Sequence, residues 1–397
     1  MRPTYLDNNA TTRTDPAVVA AMLPFFSEQF GNASSTHAFG ENVSAAVKQA
    51  RRQVQALLGA THDHEIIFTS GGTESDNAAI SFAVEAQEGR NEIITTVVEH
   101  PAVLSLVEHL ENTRGCKVHR IGVDARGRLD IDAYRAVLGP QTAVVSIMWA
   151  NNETGTLFPV AELAGMAREA GALFHTDAVQ AVGKTPIDIK TTSIDMLSLS
   201  GHKFHGPKGI GALYVRKGVK FRPFIRGGHQ ERGRRGGTEN VPGIIGLGKA
   251  AELAAAGMDD ERSRVRALHD RLERGVLALG HCAVMGDLDN RLPNTLNVAF
   301  DGIEGEAILH HLNRAGVAAS TGSACTAGST EPSHVLVAMN VPALALHGAV
   351  RLSLSRDNTD EDIDHVLGVL PGIIAELRDM SPVWQGRAVD VQAPTYA

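Results

Sequence analysis

Cysteine is nearly absent: the 397 residues hold only Cys116, Cys282 and Cys325, widely separated in sequence. That excludes a disulfide framework and a zinc site built from cysteines, and leaves any special cysteine to act alone or with a partner molecule. Positive charge is also in short supply. With 37 Lys and Arg against 45 Asp and Glu, the net charge is -8 and the isoelectric point about 6.1, so no global field draws the chain to nucleic acid or to an anionic membrane. No apolar run is long enough to cross a bilayer, and "MRPTYLDNNATT" has neither an apolar signal region nor a cleavage site, so the expectation is a cytoplasmic protein with no membrane partner.

What is present is core-forming material. Hydrophobic residues make up 43% of the chain, enough for a large core, and at this length two domains are expected. From about residue 65 to 216, β-branched runs such as "EIIFTS", "EIITTVV", "TAVVSIMWA", "ALFHTDA", "DMLSLS" and "GALYVR" alternate with helical stretches. This pattern predicts a three-layer α/β domain with a largely parallel sheet covered on both faces. Beyond Gly246 a long helical stretch leads to shorter segments, including "NTLNVAF" and "AVRLSLS", which predict a connecting helix and a smaller α+β domain. The boundaries read as 16–257 for the large domain and 1–15 with 258–397 for the small one. "RGGHQERGRRGGTEN" reads as a loop, and the C-terminal "SPVWQGRAVDVQAPTYA" as a tail without periodicity.

In open sheets of this kind, ligands gather beyond the carboxyl ends of the strands. "TSGGTES" lies between a strand and a helix, where Thr73 and Ser75 either cap an ordinary glycine turn or join backbone amides in holding an anion. It is not the G-x-G-x-x-G dinucleotide fingerprint. Asp177 ends an apolar strand in "HTDAVQ" and either caps the next helix or binds a protonated ring nitrogen. Lys203 follows a strand in the Gly-rich "SLSGHKFHGPKGIG"; most lysines are surface charges, but one in a concave, partly desolvated site can form a Schiff base with an aldehyde. Together the three elements provide for pyridoxal phosphate.

In this order, "TSGGTES", "HTDAVQ" and "SGHKFHGPKGIG" resemble the fold-type-I pyridoxal-phosphate enzymes of the aminotransferase class V group. "YLDNNATT", "NNETG", "RRGGTEN" and "GSACTAGS" narrow the resemblance to the cysteine desulfurases, with stretches such as "MWANNETGTLFP" most like the nitrogen-fixation branch. The resemblance covers nearly the whole chain. It implies that Lys203 bonds the cofactor, that Asp177 partners the ring nitrogen, and that Gln180 and Asn152 hydrogen-bond around the ring. It further implies that Gly72, Thr73, Ser200 and His202 hold the phosphate, and that His100, otherwise readable as a structural strand-end histidine, stacks on the ring and exchanges protons. Thr238 would reach the phosphate of a neighbouring subunit, which makes a homodimer the expectation over a nucleic-acid-binding reading of Arg226 to Arg235. Arg351 would grip the substrate carboxylate by a two-pronged bond that a lysine makes poorly, with Asn32 as a second contact. Gly71 is a departure, since many relatives carry a side chain there.

The resemblance implies L-cysteine as substrate and L-alanine as product, with sulfur left as a persulfide on Cys325 and passed to an iron–sulfur scaffold protein, for nitrogenase maturation. Cys325 would then also serve as a transient iron–sulfur ligand shared with that scaffold. The small residues of "STGSACTAGST" give Cys325 little to pack against, and a travelling loop, poorly ordered without substrate, is the expectation. Selenocysteine lyase and cysteine sulfinate desulfinase are the alternatives, since they would share the cofactor residues.

Overall fold

A computed structural model describes residues 3–321 and 332–387. A seven-stranded sheet runs in the order Ile66–Thr69, Gly211–Val215, Met196–Ser200, Leu173–Asp177, Thr142–Ser146, Glu92–Thr96, Lys117–Ile121. Neighbours are parallel except Gly211–Val215, which is antiparallel to both strands flanking it. The mostly parallel sheet is therefore as expected, with one reversed strand.

Alternate side chains of each strand point to opposite faces, and the two cores divide accordingly. Ile67, Ile93, Val144, Met196 and Leu213 pack with Ile80, Phe82 and Val107 from the helices Gly72–Ala86 and Pro101–Arg114. Phe68, Ile94, Val145, Leu197 and Tyr214 pack with Val47, Leu163 and Leu247 from helices Ala38–Leu58, Val160–Glu169 and Val241–Leu277. With both faces covered, the inner strands are buried along their whole length, hydroxyl residues such as Ser198 and Ser200 included.

The 37-residue helix Val241–Leu277 is roughly 55 Å long at 1.5 Å per residue and joins two cores. Its Ile244 to Ala254 belong to the large-sheet core, whereas Val265 to Val276 pack with Leu296, Val298, Phe300, Val350, Ile363 and Val366 in another. That second core lies on a three-stranded antiparallel sheet, Ala349–Ser353, Thr295–Phe300 and Cys282–Val284. Leu6 also packs there, and Thr4–Tyr5 pairs in parallel with Val317–Ala318. The first residues thus join the last third of the chain.

Two expectations need correction. Residues read as a tail without periodicity include a helix, Pro382–Arg387, preceded by Ser381 Oγ, which donates to Gly302 O at 2.5 Å and accepts from Trp384 N at 3.2 Å. The Arg226–Asn240 segment is not only a loop: Gln230–Gly233 forms a helical turn in which Glu231 and Arg232 have φ of 48° and 59°. Its buried Glu231 takes both terminal nitrogens of Arg51 at 2.6 Å and the Phe68 N–H at 3.0 Å, and a fixed partner of this kind overrides a Gly- and Arg-rich composition.

Candidate active site

Beyond the carboxyl ends of the parallel strands lies a cavity of about 350 Å³. Each of its elements reaches it through a local feature of sequence. Helix Gly72–Ala86 aims its first residues, Gly72 and Thr73, at the cavity. A Cβ on Gly72 would stand 2.8 Å from Val179 Cγ2, and Gly71 has φ 156°, so the turn closes this tightly only with glycine. Of the two alternatives read for this turn, Ser75 follows the ordinary glycine turn: its hydroxyl is buried, shares a 2.8 Å bond with Thr69 Oγ1 and donates to Gly71 O at 3.1 Å. It braces the turn rather than facing an anion.

Asp177, Gln180 and Ser200 line the same cavity. Asp177 accepts the Val179 N–H at 2.9 Å; no helix follows it before Ile189, so it braces a turn rather than capping a helix, and it faces the cavity. Burial raises its carboxyl, opposed by His100, that N–H and Lys203. Gln180 donates to Asn9 O at 2.9 Å and accepts from Lys184 Nζ at 2.6 Å, which fixes its amide orientation.

His100 precedes the Pro-initiated helix Pro101–Arg114, and its Nδ1 accepts the Ala102 N–H at 3.1 Å. A nitrogen that accepts from an amide carries no hydrogen, so in the neutral ring the hydrogen is on Nε2. Burial, chiefly, lowers its pKa, with Asp177 opposing. His202 is neutral, its pKa pulled down to about 4 by burial and then by Lys203; its Nδ1 lies 3.1 Å from Thr11 Oγ1.

Lys203 Nζ enters the cavity and donates to the carbonyls of Asn9 at 2.7 Å and Ala10 at 2.8 Å. Arg351 arrives from the small sheet, only 2% exposed. Its Nη1 donates to Asn152 O at 2.9 Å and its Nη2 to Asp7 Oδ1 at 2.9 Å. Asn152 lines the cavity as well.

Ten of the expected residues therefore surround one space. Asn32 and Thr238 do not: both are exposed, Asn32 Oδ1 accepts the Ser34 N–H at 2.9 Å, and neither lines the cavity. The strand of residues next to Thr238 is nonetheless tied to the glycine turn, since Arg235 pairs with Glu74 at 3.0 Å and Glu74 accepts the Ser70 N–H at 2.8 Å. Cys325 and its loop, with Gly322 and Gly328, lie outside the described residues. Of the other cysteines, Cys116 is buried and Cys282 half-buried, and burial raises both thiols away from the reactive thiolate form. Among the described residues no group of three or more His, Cys, Asp or Glu could hold a metal ion, and no helix is long and apolar enough to cross a membrane.

Sequence reasoning missed Asp7, Asn9, Asn151 and Asp76 as individuals. Asn9 is the hub of the N-terminal segment, with Nδ2 donating to Asn152 O at 3.1 Å and Thr295 Oγ1 at 2.8 Å. Asn151 folds "NNETG" on itself by accepting the N–H groups of Glu153 and Thr154 at 2.9 and 3.0 Å. Two consecutive asparagines in each of "LDNNATT" and "NNETG" were the available signal, because Asn side chains satisfy local backbone in turns.

Residues 4–366 match the Aminotransferase class-V family. The chain is 70% identical over its whole length, and over the whole of the relative, to a cysteine desulfurase of Gluconacetobacter diazotrophicus. The chain belongs to the cysteine desulfurases of the class-V aminotransferases. It is also 62% identical to "Cysteine desulfurase NifS" of Azotobacter vinelandii, over 97% of this chain and 96% of that one. Among solved structures, a "NIFS-like protein" superposes with a TM-score of 0.89 at 39% identity, covering 94% of this chain and all of the other.

The cofactor of this class-V family is pyridoxal 5′-phosphate, and the cavity fits it by the chemistry of its donors. A primary amine stands at one wall, and a buried carboxylate able to face a ring nitrogen at another. Helix N–H groups with Thr73 and Ser200 mark the anion end.

Proposed function

We propose that this desulfurase takes sulfur from L-cysteine, releases L-alanine and leaves a persulfide on Cys325. The single observation that carries the reading is the convergence of Lys203, Asp177, His100 and Arg351 on one cavity from four separate parts of the chain. When bound, pyridoxal phosphate supplies the aldehyde and the electron-withdrawing ring that make an amino acid's α-proton acidic. Lys203 Nζ bonds the cofactor at rest and takes the α-proton when released. Asp177 holds the proton on the ring nitrogen, and Gly72, Thr73, Ser200 and His202 hold the phosphate, with Thr238 reaching the partner copy's phosphate in a homodimer. Gln180 and Asn152 flank the ring, and His100 stacks on it and exchanges protons with substrate. Arg351 takes the substrate carboxylate, with Asn32 as a second contact.

Cys325 as thiolate attacks the substrate sulfur, as in thiol–disulfide exchange; the S–S bond of the persulfide forms as the substrate's Cβ–S bond breaks, and the electron pair of that bond leaves with the carbon fragment, which takes up a proton and departs as L-alanine. The acceptor in this reading is an iron–sulfur scaffold, with Cys325 as a transient shared ligand, in the cytoplasm and in the service of nitrogenase; the likeness to NifS supports that assignment. In this reading the chain divides into 16–257 and 1–15 with 258–397, supported by a second core that holds Leu6 together with residues from Val265 onward. The test is incubation of the purified protein with L-cysteine and a thiol reductant: alanine and sulfide should appear in equal amounts and both should cease in Cys325→Ala. Continued multiple-turnover sulfide release by that variant overturns the role of Cys325.

A further inference from the structure

Asp76 is a carboxylate for which neither the cap chemistry of its helix nor the roles above account. It lies in the second turn of Gly72–Ala86, lines the cofactor cavity, and is 1% exposed. Its Oδ1 is buried and accepts no hydrogen bond. The nearest cationic candidate is His175 Nε2 at 3.5 Å, but that ring is itself fully buried. Ser146 and Ser198 hydroxyls occupy its two nitrogens at 2.9 Å each. Burial holds His175 neutral, its pKa down to about 3, so it offers Asp76 no positive charge.

A second carboxylate, Asp177, shares the cavity. It is placed with His175 on one face of the same strand, two residues apart, and Asp177 pairs in register with Ser198 on the next strand. Two like charges on buried side chains of one cavity disfavour each other strongly, and one carboxyl of such a pair keeps its proton. The two are not equivalent. Asp177 has the Val179 N–H at 2.9 Å and the positive field of Lys203 to support a negative charge. Asp76 has an oxygen with no donor. Burial first, and then the charge of Asp177, raise the Asp76 carboxyl well above its ordinary range, with Glu99 adding to the push and a Ser198 bond opposing it.

We propose that Asp76 is a positioning residue standing in the cofactor cavity as a neutral carboxylic acid beside an ionised Asp177. The pair then presents one negative charge, matched to the one positive charge of a protonated ring nitrogen. An ionised Asp76 would over-neutralise that nitrogen and repel the phosphate end of the same ligand. The proton on Asp76 also turns an orphaned acceptor into a donor.

The proposal rests on the cofactor reading only for its affinity arm. Infrared spectra of the full-length protein with carbonyl-¹³C aspartate should contain a protonated-carboxyl band at neutral pH before cofactor is added, and Asp76→Asn should remove it. In titrations of cofactor-free protein with pyridoxal 5′-phosphate, Asp76→Asn, the conservative mimic of a neutral acid, should bind within about twofold of wild type, whereas Asp177→Asn should weaken binding by about tenfold or more. Absence of the band, its persistence in Asp76→Asn, or an affinity loss in Asp76→Asn as large as in Asp177→Asn overturns the proposal. If Asp76→Asn does not fold, Asp76→Ser replaces it with the same criteria. If neither folds, the labelled wild-type spectrum alone decides, by presence or absence of the band. A wild-type protein with the band that takes up no pyridoxal phosphate overturns the cofactor reading instead and leaves a neutral Asp76 standing.

Discussion

The seven-stranded sheet and the three-stranded sheet contribute to one cavity by different means. The large sheet supplies a ring of strand ends: Asp177, Ser200 and the segments just beyond, carrying His100, Asn152 and Lys203, converge because parallel strands all finish on the same side. The small sheet supplies a single side chain, Arg351, from the middle of a strand, buried and already paired with Asp7. In the proposed function, cofactor chemistry is thus built on one sheet, and recognition of the substrate carboxylate is delegated to the other.

The comparison breaks most completely at Lys203. Lys203→Ala should lose all turnover and the visible absorption of bound cofactor that borohydride fixes in wild type; a cofactor still fixed by borohydride in the variant counts against it. On the other side, Arg351→Lys should leave cofactor absorption unchanged and raise KM for L-cysteine by roughly 10- to 100-fold, since a planar two-pronged grip becomes a point charge. An unchanged KM would remove the small sheet from substrate recognition.

A third prediction concerns the floor of the large sheet. His175 is fully buried and neutral, with a pKa of about 3 against 6.5 for the ordinary side chain. The folded value is depressed, so its contribution is intact above about pH 6.5 and is lost as pH falls toward 3; by pH 4 the loss is about 3 kcal/mol. Urea midpoints measured from pH 7 to 4 should fall, and His175→Asn should flatten the slope. An equal slope in the variant would mean that other groups set the acid limit. The smallest effect is expected at Asp7: Asp7→Asn keeps an oxygen for Arg351 Nη2 but drops the charge, so KM for L-cysteine should shift by about two- to fivefold with cofactor binding untouched.

The large sheet was legible because its strands are buried on both faces and rich in β-branched and apolar residues, and two of them end in polar residues, Asp177 and Ser200, that line the cavity. Lys203 and Asp177 could be singled out on those grounds. Asp76 could not: in sequence it is one more acidic residue in a helix, and only the packing of that helix over His175 and Asp177 makes it unusual. Asn9 and Asp7 were hidden for another reason. Their partners, Lys203, Asn152, Thr295 and Arg351, lie far along the chain, and no local pattern encodes such pairings. The Pro382–Arg387 helix was missed because six residues are too few for a period to register.

The central claim is that a cavity built on the large sheet delivers the sulfur of L-cysteine to Cys325. The most direct measurement is mass spectrometry of the Cys325 peptide after the holoenzyme is exposed to L-cysteine without reductant. The account predicts a mass increase of one sulfur atom on Cys325, reversed by a thiol reductant and absent in Lys203→Ala. An unmodified Cys325 in protein that has released alanine would contradict it.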